Sequence, residues 1–524
     1  MVSLDPSPTG AAVAGFTSIL FPPDRVEEPA DDAPEPDYFG DLRLDQVIAK
    51  VLEGCADAHL EPFFRTPVRD LETIAYRHEV FRDVEDPVLL DAMRRFRKQM
   101  WTMRLRLTRR ANSHYRHEMS RWLLNATEAY CAAVGELTDA IAAGSRRSTG
   151  IRTLGRYVTE YRWSPGFAAL HADARHMRAA LDGVRFRLTI GGTKVRVSRY
   201  EEEPDYSVEV VRTFEKFRQS AALRDGVRTD TVGWMDHVEG RILERVALLY
   251  PAVFGELDAF VAAHEHFVDP VLARFDREVQ VYVAWLDYRQ RLLSAGLRFC
   301  YPAVATGTDE FRARDTFDLA LARRLVDTGR PVVTNDVELA ADERILVISG
   351  PNQGGKTTLA RTIGQLHHLA ALGLPVAGSD VALTLPDRVF AHFDREESLD
   401  DLAGKLEEEL RRIRQMLAAA TSDSVVIMNE SFSSTTTGDA LRIGRRVFGR
   451  LISLGCRVVA VTFLDELSRL GPTTVSMVSE VDPADPAVRT FRLTKRPADG
   501  LAYAQAIADK HRLGADELRA RLAR

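Results

Sequence analysis

Gly350-Pro351-Asn352-Gln353-Gly354-Gly355-Lys356-Thr357 constrains this chain more than any other segment. It satisfies G-x-x-x-x-G-K-[ST] in the context where that spacing carries chemistry. The apolar run Ile345 to Ile348 precedes it and reads as a strand, and the stretch from Thr357 to Ala371 follows it and reads as a helix. Glycines let backbone N–H groups close around phosphate oxygens, and a helix N-terminus adds partial positive charge. Lys356 is then expected to reach the β- and γ-phosphate oxygens and Thr357 Oγ to hold Mg²⁺. The pattern predicts an ATP site made by Gly350, Pro351, Asn352, Gln353, Gly354, Gly355, Lys356, Thr357 and Thr358. The plainer reading, a chance glycine-rich turn, does not account for a strand and a helix both in place.

Downstream, Ser424-Val-Val-Ile-Met-Asn429-Glu430 is an apolar strand ending in an acid, the form of a Walker B element. Glu430 is expected to orient or deprotonate the attacking water, with Lys356 as the second catalytic group and Asn429 beside Thr357 on the metal side. Alone, such a segment reads as a buried strand with a solvated glutamate at its tip; the phosphate loop upstream favours the catalytic reading.

Around these motifs, from about residue 316, short apolar runs alternate with helical stretches. Residues 344–349, 389–393, 424–428 and 457–462 read as strands and 357–371, 399–420 and 439–454 as helices, so the pattern predicts an α/β domain with a largely parallel sheet. Upstream, about 38–181 and 208–297 read as helical, with apolar residues three and four apart as in Leu89, Leu90, Met93 and Phe96. Between them lie two alternating runs, 184–190 and 193–198, which predict a β-hairpin around Gly191-Gly192. That turn would pair Arg187 with Arg196, Thr189 with Lys194 and Arg185 with Ser198 on one face, and Leu188 with Val195 and Phe186 with Val197 on the other. Residues 1–37, rich in Pro, Ala, Asp and Glu, are expected to form a disordered tail. The expected organisation is a tail at 1–37, a helical region at 38–300 carrying the hairpin at 184–198, and the α/β domain at 301–524.

Length and composition bound the rest. A chain of 524 residues is too long for one core, and 45% apolar with 28% charged residues is globular. A net charge of −6 excludes a protein basic over its whole surface but not a local basic patch. Cys55, Cys131, Cys300 and Cys456 stand too far apart for a metal-ligand spacing and read as reduced thiols. With no apolar stretch of membrane-spanning length and no signal segment, the expectation is a soluble, cytoplasmic protein without a membrane partner.

The residues around the phosphate loop resemble one family. Asn335-Asp336-Val337-Glu338-Leu339, the strand, and Gly350-Pro351-Asn352 followed by Gly354-Gly355-Lys356-Thr357-Thr358 are similar to the approach of the MutS family to its nucleotide site. Asn429-Glu430, Thr435-Thr436-Thr437-Gly438-Asp439 and Val461-Thr462-Phe463 fall where that family has Asp-Glu, a Gly/Ser/Thr-rich loop with Asp, and a Thr-His switch. Residues 499–511 look like its closing helical segment, and Pro67 to Ile74 with Arg77 to Val80 like the start of its lever domain.

The resemblance implies an ABC-type P-loop ATPase domain behind a mostly helical lever region, with the hairpin in place of a reduced clamp. It implies ATP and Mg²⁺ as cofactors, a head-to-head homodimer, and DNA as partner. Lever-like sequence beginning near residue 40 leaves no room for the mismatch-reading domain, and Phe254-Gly255-Glu256 matches its wedge only by letters, inside a helical stretch. Asn429 stands for the metal-side Asp, Phe463 for the switch His, and 402–410 lacks the Ser/Thr-rich signature.

Arg185, Arg187, Lys194 and Arg196 gather on one hairpin face, and directly opposed arginines would repel unless a phosphate backbone lay between them. Arg94, Arg95, Arg97, Lys98, Arg104, Arg106, Arg109 and Arg110 form a second basic run, with Phe96 and Trp101 interleaved. The plainer reading is a solvated charged face partly neutralised by Glu201, Glu202 and Glu203. The expectation is an ATPase that, as a dimer, controls binding to duplex, mismatched or branched DNA. The alternative is a nucleotide-gated protein-interaction scaffold with weak hydrolysis and no DNA role. The ATPase subunit of a membrane transporter fits less well, since such subunits lack so long a helical preamble.

Overall fold

A computed structural model of the protein describes residues 16–26, 28–55, 58–192, 194–201, 235–307, 310–393, 404–485 and 488–498. The chain forms two compact units, one of Met1–Phe16, Pro87–Arg146 and Arg152–Asp276, the other of Thr17–Asp86, Arg147–Ile151 and Arg277–Arg524.

The second unit opens with α1 (Phe39–Leu42), α2 (Leu44–Val51), α3 (Glu61–Arg65) and α4 (Leu71–Val84). Asp70 caps α4, its carboxylate accepting the Thr73 N–H at 2.8 Å. Ahead of α1, the segment expected to belong to a tail is ordered where its composition changes. Phe16, Ile19, Leu20 and Phe21 are buried, Ser18 Oγ donates to Glu278 at 2.7 Å, and the Ile19 N–H donates to the same carboxylate at 2.8 Å. The aromatic and aliphatic run 16–21 carries enough apolar surface to dock, which the Pro- and acid-rich residues after it do not.

The first unit is built on α5 (Pro87–Asn112), α6 (Arg116–Ala142), α7 (Thr149–Arg162), α8 (Pro165–Asp182), the hairpin strands β1 (Phe186–Gly191) and β2 (Lys194–Arg199), and α9 (His237–Leu249) and α10 (Pro251–His264). Leu89, Met93, Phe96, Met100 and Met103 of α5 recur at helical spacing and are all buried, which is the physical basis of the periodicity in the sequence. A cluster of Leu124, Ala174, Met177, Val246, Phe254, Leu257 and Phe260 joins α6, α8, α9 and α10. Phe254 is one of its members, so the Phe-Gly-Glu match is helix core, as expected.

The second unit resumes after Asp276 in α11 (Pro270–Leu293) and continues through β3 (Phe299–Cys300), β4 (Ala303–Ala305), β5 (Phe311–Thr316), α12 (Leu319–Asp327), β6 (Asn335–Leu339), β7 (Ile345–Ser349) and α13 (Lys356–Ala371). Then follow β8 (Val376–Ala377), β9 (Asp380–Thr384), β10 (Val389–Phe393), α14 (Lys405–Ala419), β11 (Val425–Asn429), α15 (Thr437–Leu454), β12 (Arg457–Val461), β13 (Thr474–Val481) and β14 (Arg489–Lys495). Six strands make a mixed sheet in the order β10-β11-β12-β7-β13-β14, parallel except for the pair β13–β14.

Ile345, Val347, Val426, Met428, Val458 and Ala460 bury one face of this sheet under Ile413, Met416, Phe448 and Leu451 of α14 and α15. The central strands β7, β11 and β12 are buried throughout, as their unbroken apolar runs require of a sheet covered on both sides. A four-stranded sheet, β4-β9-β5-β6, and the short pair β3–β8 were not read from the sequence. Their strands are two to six residues long and several are half-polar, so they carry little period-two signal.

The predicted helix at 399–420 is present as α14; its first residues, the 402–403 part of the signature position, the helical stretch 208–234 and the closing segment 499–511 lie outside the described residues. All four cysteines are free thiols. Among the described residues no single helix is long and apolar enough to cross a membrane.

Candidate nucleotide site

The turn between β7 and α13 is shaped by backbone conformations and close approaches that exclude most side chains. Gly350 (φ +109°) and Gly355 (φ +93°) are left-handed, as is Gln353 (φ +60°). Gly354 is required for space: a Cβ there would stand 2.1 Å from Ser479 Oγ. Ser479, buried on β13, donates from Oγ to Gly354 O at 2.6 Å, so the neighbouring strand fixes the loop from behind. Arg489 Nε donates to Asn352 O at 3.2 Å from β14. Asn335 of β6 ties the same strand down, donating to Phe491 O at 3.1 Å and accepting the Leu493 N–H at 2.8 Å.

Lys356 opens α13 with its side chain buried. Its ammonium donates to Gly350 O at 2.7 Å and Pro351 O at 3.0 Å, and Asn352 Oδ1 lies at 3.4 Å. The Phe463 ring, half-exposed, covers it with its centroid 4.9 Å from Nζ. Burial pulls this amine below the ordinary lysine range, and the charge of Glu430 opposes that fall. A buried cation held by loop carbonyls and a ring face is one that an incoming polyanion can draw away from weak partners to a stronger one.

Thr357 Oγ1 donates to Asn429 Oδ1 at 2.8 Å, which brings the last residue of β11 to the start of α13. This pair, a hydroxyl and an amide oxygen, is the hard-oxygen donor type that suits a hydrated Mg²⁺, though with no carboxylate charge of its own. Glu430 follows at once, left-handed at φ +53°, with its N–H donated to Val461 O at 2.8 Å. The structure thus gathers Lys356, Thr357, Asn429 and Glu430 at the carboxyl ends of two parallel strands. The contacts made by Ser479, Arg489 and Asn335 had no signal in the sequence, because each reaches a residue more than a hundred positions away.

The basic hairpin differs from its expectation. Its register pairs Gly191 with Lys194, Ile190 with Val195, Thr189 with Arg196, Leu188 with Val197 and Arg187 with Ser198. The turn sits one residue later, with Gly192 at φ +60°, so the pairing shifts by two and each side chain keeps its face. Arg187 and Arg196 are therefore not opposed; Arg187 Nε donates to Ser198 Oγ at 3.3 Å. The direct opposition inferred from the sequence is replaced by a diagonal one, and the face still carries Arg187, Lys194 and Arg196, all exposed, beside a half-buried Ser198. Arg185, just before β1, is held through its carbonyl by Tyr250 Oη.

The second basic run is largely committed within its own unit. Arg95 meets Asp91 and Glu136, Arg104 meets Asp276, Arg106 donates to Asn125 O, Arg109 lies over Trp122, and Arg110 bridges to Glu265 at 2.9 Å. These arginines staple helices, which a one-dimensional count of charge does not reveal.

Comparison with known proteins places the same region. The MutS domain V model matches residues 346–493. The Endonuclease MutS2 of Thermus thermophilus is 35% identical over 181 residues, 34% of this chain and 24% of that protein. The Endonuclease MutS2 of Gemmatimonas aurantiaca is 32% identical over 197 residues, 37% of this chain and 24% of that protein. The DNA mismatch repair protein MutS of Thermotoga neapolitana is 31% identical over 184 residues, 34% and 23% respectively. The match thus spans about a quarter of the length of these relatives.

Proposed function

Since this chain belongs to the MutS family by its matched C-terminal region, we propose that it is a MutS-like ATPase whose nucleotide state controls binding to DNA. The observation that carries the reading is the convergence of a buried Lys356, the 2.8 Å Thr357–Asn429 bond and Glu430 at the glycine-rich loop. Residues Gly350 to Thr358 bind the triphosphate through backbone N–H groups and the helix N-terminus. Lys356 leaves its loop carbonyls for the β/γ oxygens, and Glu430 orients the attacking water and takes its proton. Thr357 and Asn429 would hold Mg²⁺, which when bound offsets phosphate charge.

By the same reading the domain works as a P-loop fold with its helical region, about residues 38–300, acting as levers. Two heads close on ATP as a homodimer in the cytoplasm, and Arg185, Arg187, Lys194 and Arg196 of the hairpin touch the phosphate backbone of duplex, mismatched or branched DNA. The neutral Asn429 and the Phe463 ring over Lys356 favour slow hydrolysis, and to that extent support the second reading, a nucleotide-gated scaffold without a DNA role. Binding of labelled duplex and branched DNA across a salt series, with and without ATP, separates the two. ATP-dependent, salt-dependent binding is expected, and binding indifferent to both would leave the scaffold.

A further inference from the structure

The exit of β11 holds two left-handed residues close together, Glu430 (φ +53°) and the core residue Phe432 (φ +67°). Such conformations persist in non-glycine residues only where neighbouring structure over-determines them. Part of that determination comes from another element. Glu409 of α14, nearly buried, accepts the Phe432 N–H at 2.7 Å on Oε1, and the same oxygen accepts from His392 Nε2 of β10 at 3.2 Å. One carboxylate thereby joins α14, β10 and the turn that carries Glu430. Phe432 also belongs to the buried cluster that includes Ile413 and Met416, both on α14.

We propose that Glu409 is the positioning residue for Glu430: by accepting the Phe432 N–H it holds the left-handed turn that sets the Glu430 carboxylate over the phosphate end of the site. The inference rests on the catalytic reading of Glu430 given above. A carboxylate is suited to this task because a charged acceptor makes a shorter and stronger bond to a backbone N–H than a neutral one. It also makes α14 a lever on catalysis, since any displacement of that helix moves Glu409 and relaxes the turn.

The test is kinetic, on the full chain. Glu409→Ala is expected to lower kcat by roughly 10- to 100-fold, the scale of a misplaced catalytic group, with ATP affinity unchanged. Glu409→Gln keeps an acceptor oxygen for Phe432 and should recover most of the rate. In single-turnover measurements on a Glu430→Gln background, Glu409→Ala should cost nothing further. If Glu409→Ala does not fold, Glu409→Met, of similar length but without the acceptor, takes its place. An equal loss on the Glu430→Gln background, a parallel loss of ATP affinity, or an unchanged kcat in Glu409→Ala would overturn the proposal while leaving the ATPase reading intact. Wild-type protein that binds ATP but never turns it over, or a Glu430→Gln variant as fast as wild type, would instead remove the reading beneath it.

Discussion

Thr357 and Asn429 are joined by a hydrogen bond of 2.8 Å from hydroxyl to side-chain carbonyl, linking the first turn of α13 to the last residue of β11. Asn429 keeps the acceptor but brings no charge to a position that would help to hold Mg²⁺. Asn429→Asp is expected to lower the Mg²⁺ needed for half-maximal ATPase rate and to raise that rate. Superimposable Mg²⁺ titrations of the two proteins would show that the neutral residue costs nothing.

Lys356→Ala is expected to abolish ATP binding with little change in thermal stability. Its ammonium meets the Gly350 and Pro351 carbonyls, Asn352 Oδ1 and the Phe463 ring, and burial already disfavours its charge, so the fold gains little from it. Calorimetric titration with ATP and a melting curve on the same sample decide both halves.

Glu430→Gln is expected to bind ATP and turn it over only at a small residual rate, holding two heads together for longer. The change is isosteric and leaves the Glu430 N–H on Val461 O. Size-exclusion chromatography with ATP should show more dimer than wild type; an identical elution profile would count against head-to-head closure.

Three histidines give the protein an acid limit. Burial holds His78, His367 and His368 down to about 4, with Arg82 adding to the effect at His78 and Arg457 at His367. In the unfolded chain the same groups titrate near 6.5. Between those values the unfolded state binds more protons, so their stabilisation is full above about pH 6.5 and is lost as pH falls toward 4. His368 is fully committed, with Tyr38 Oη at Nδ1 (3.0 Å) and Phe64 O at Nε2 (2.9 Å), which fixes it as the neutral tautomer that donates from Nε2. Melting temperature should drop through this window; a flat profile from pH 7 to 4 would contradict the burial of these rings.

Arg187→Glu with Arg196→Glu is expected to weaken DNA binding and to reduce the slope of log K against log salt by about 0.9 per lost phosphate contact. An unchanged slope in fluorescence anisotropy would move the DNA surface elsewhere.

Local order was legible wherever one stretch of chain carries its own signal. Gly350 to Thr357 is readable because its glycines, lysine and threonine are contiguous, and β7, β11 and β12 because a sheet buried on both faces demands unbroken apolar runs. The hairpin was readable as a hairpin, and even its faces, since a two-residue shift conserves alternation. Its register was not, because Gly191 and Gly192 can each supply the left-handed turn position and only the folded chain chooses Gly192. The ordering of 16–21 was hidden by the Pro- and acid-rich residues around it, and depends on Glu278, some 260 positions away. The site has the same origin: Ser479 reaches Gly354 across 125 positions, and Glu409 meets the Phe432 N–H across the 23 positions between a helix and the turn after the next strand, each through a hydrogen bond that no local pattern encodes. Sequence determines which backbone segments can form and which carry a glycine-rich turn with its lysine and threonine, because those are properties of neighbours. Which strand backs the loop, and which carboxylate meets the Phe432 N–H, was decided only when packing brought separate elements within hydrogen-bond reach.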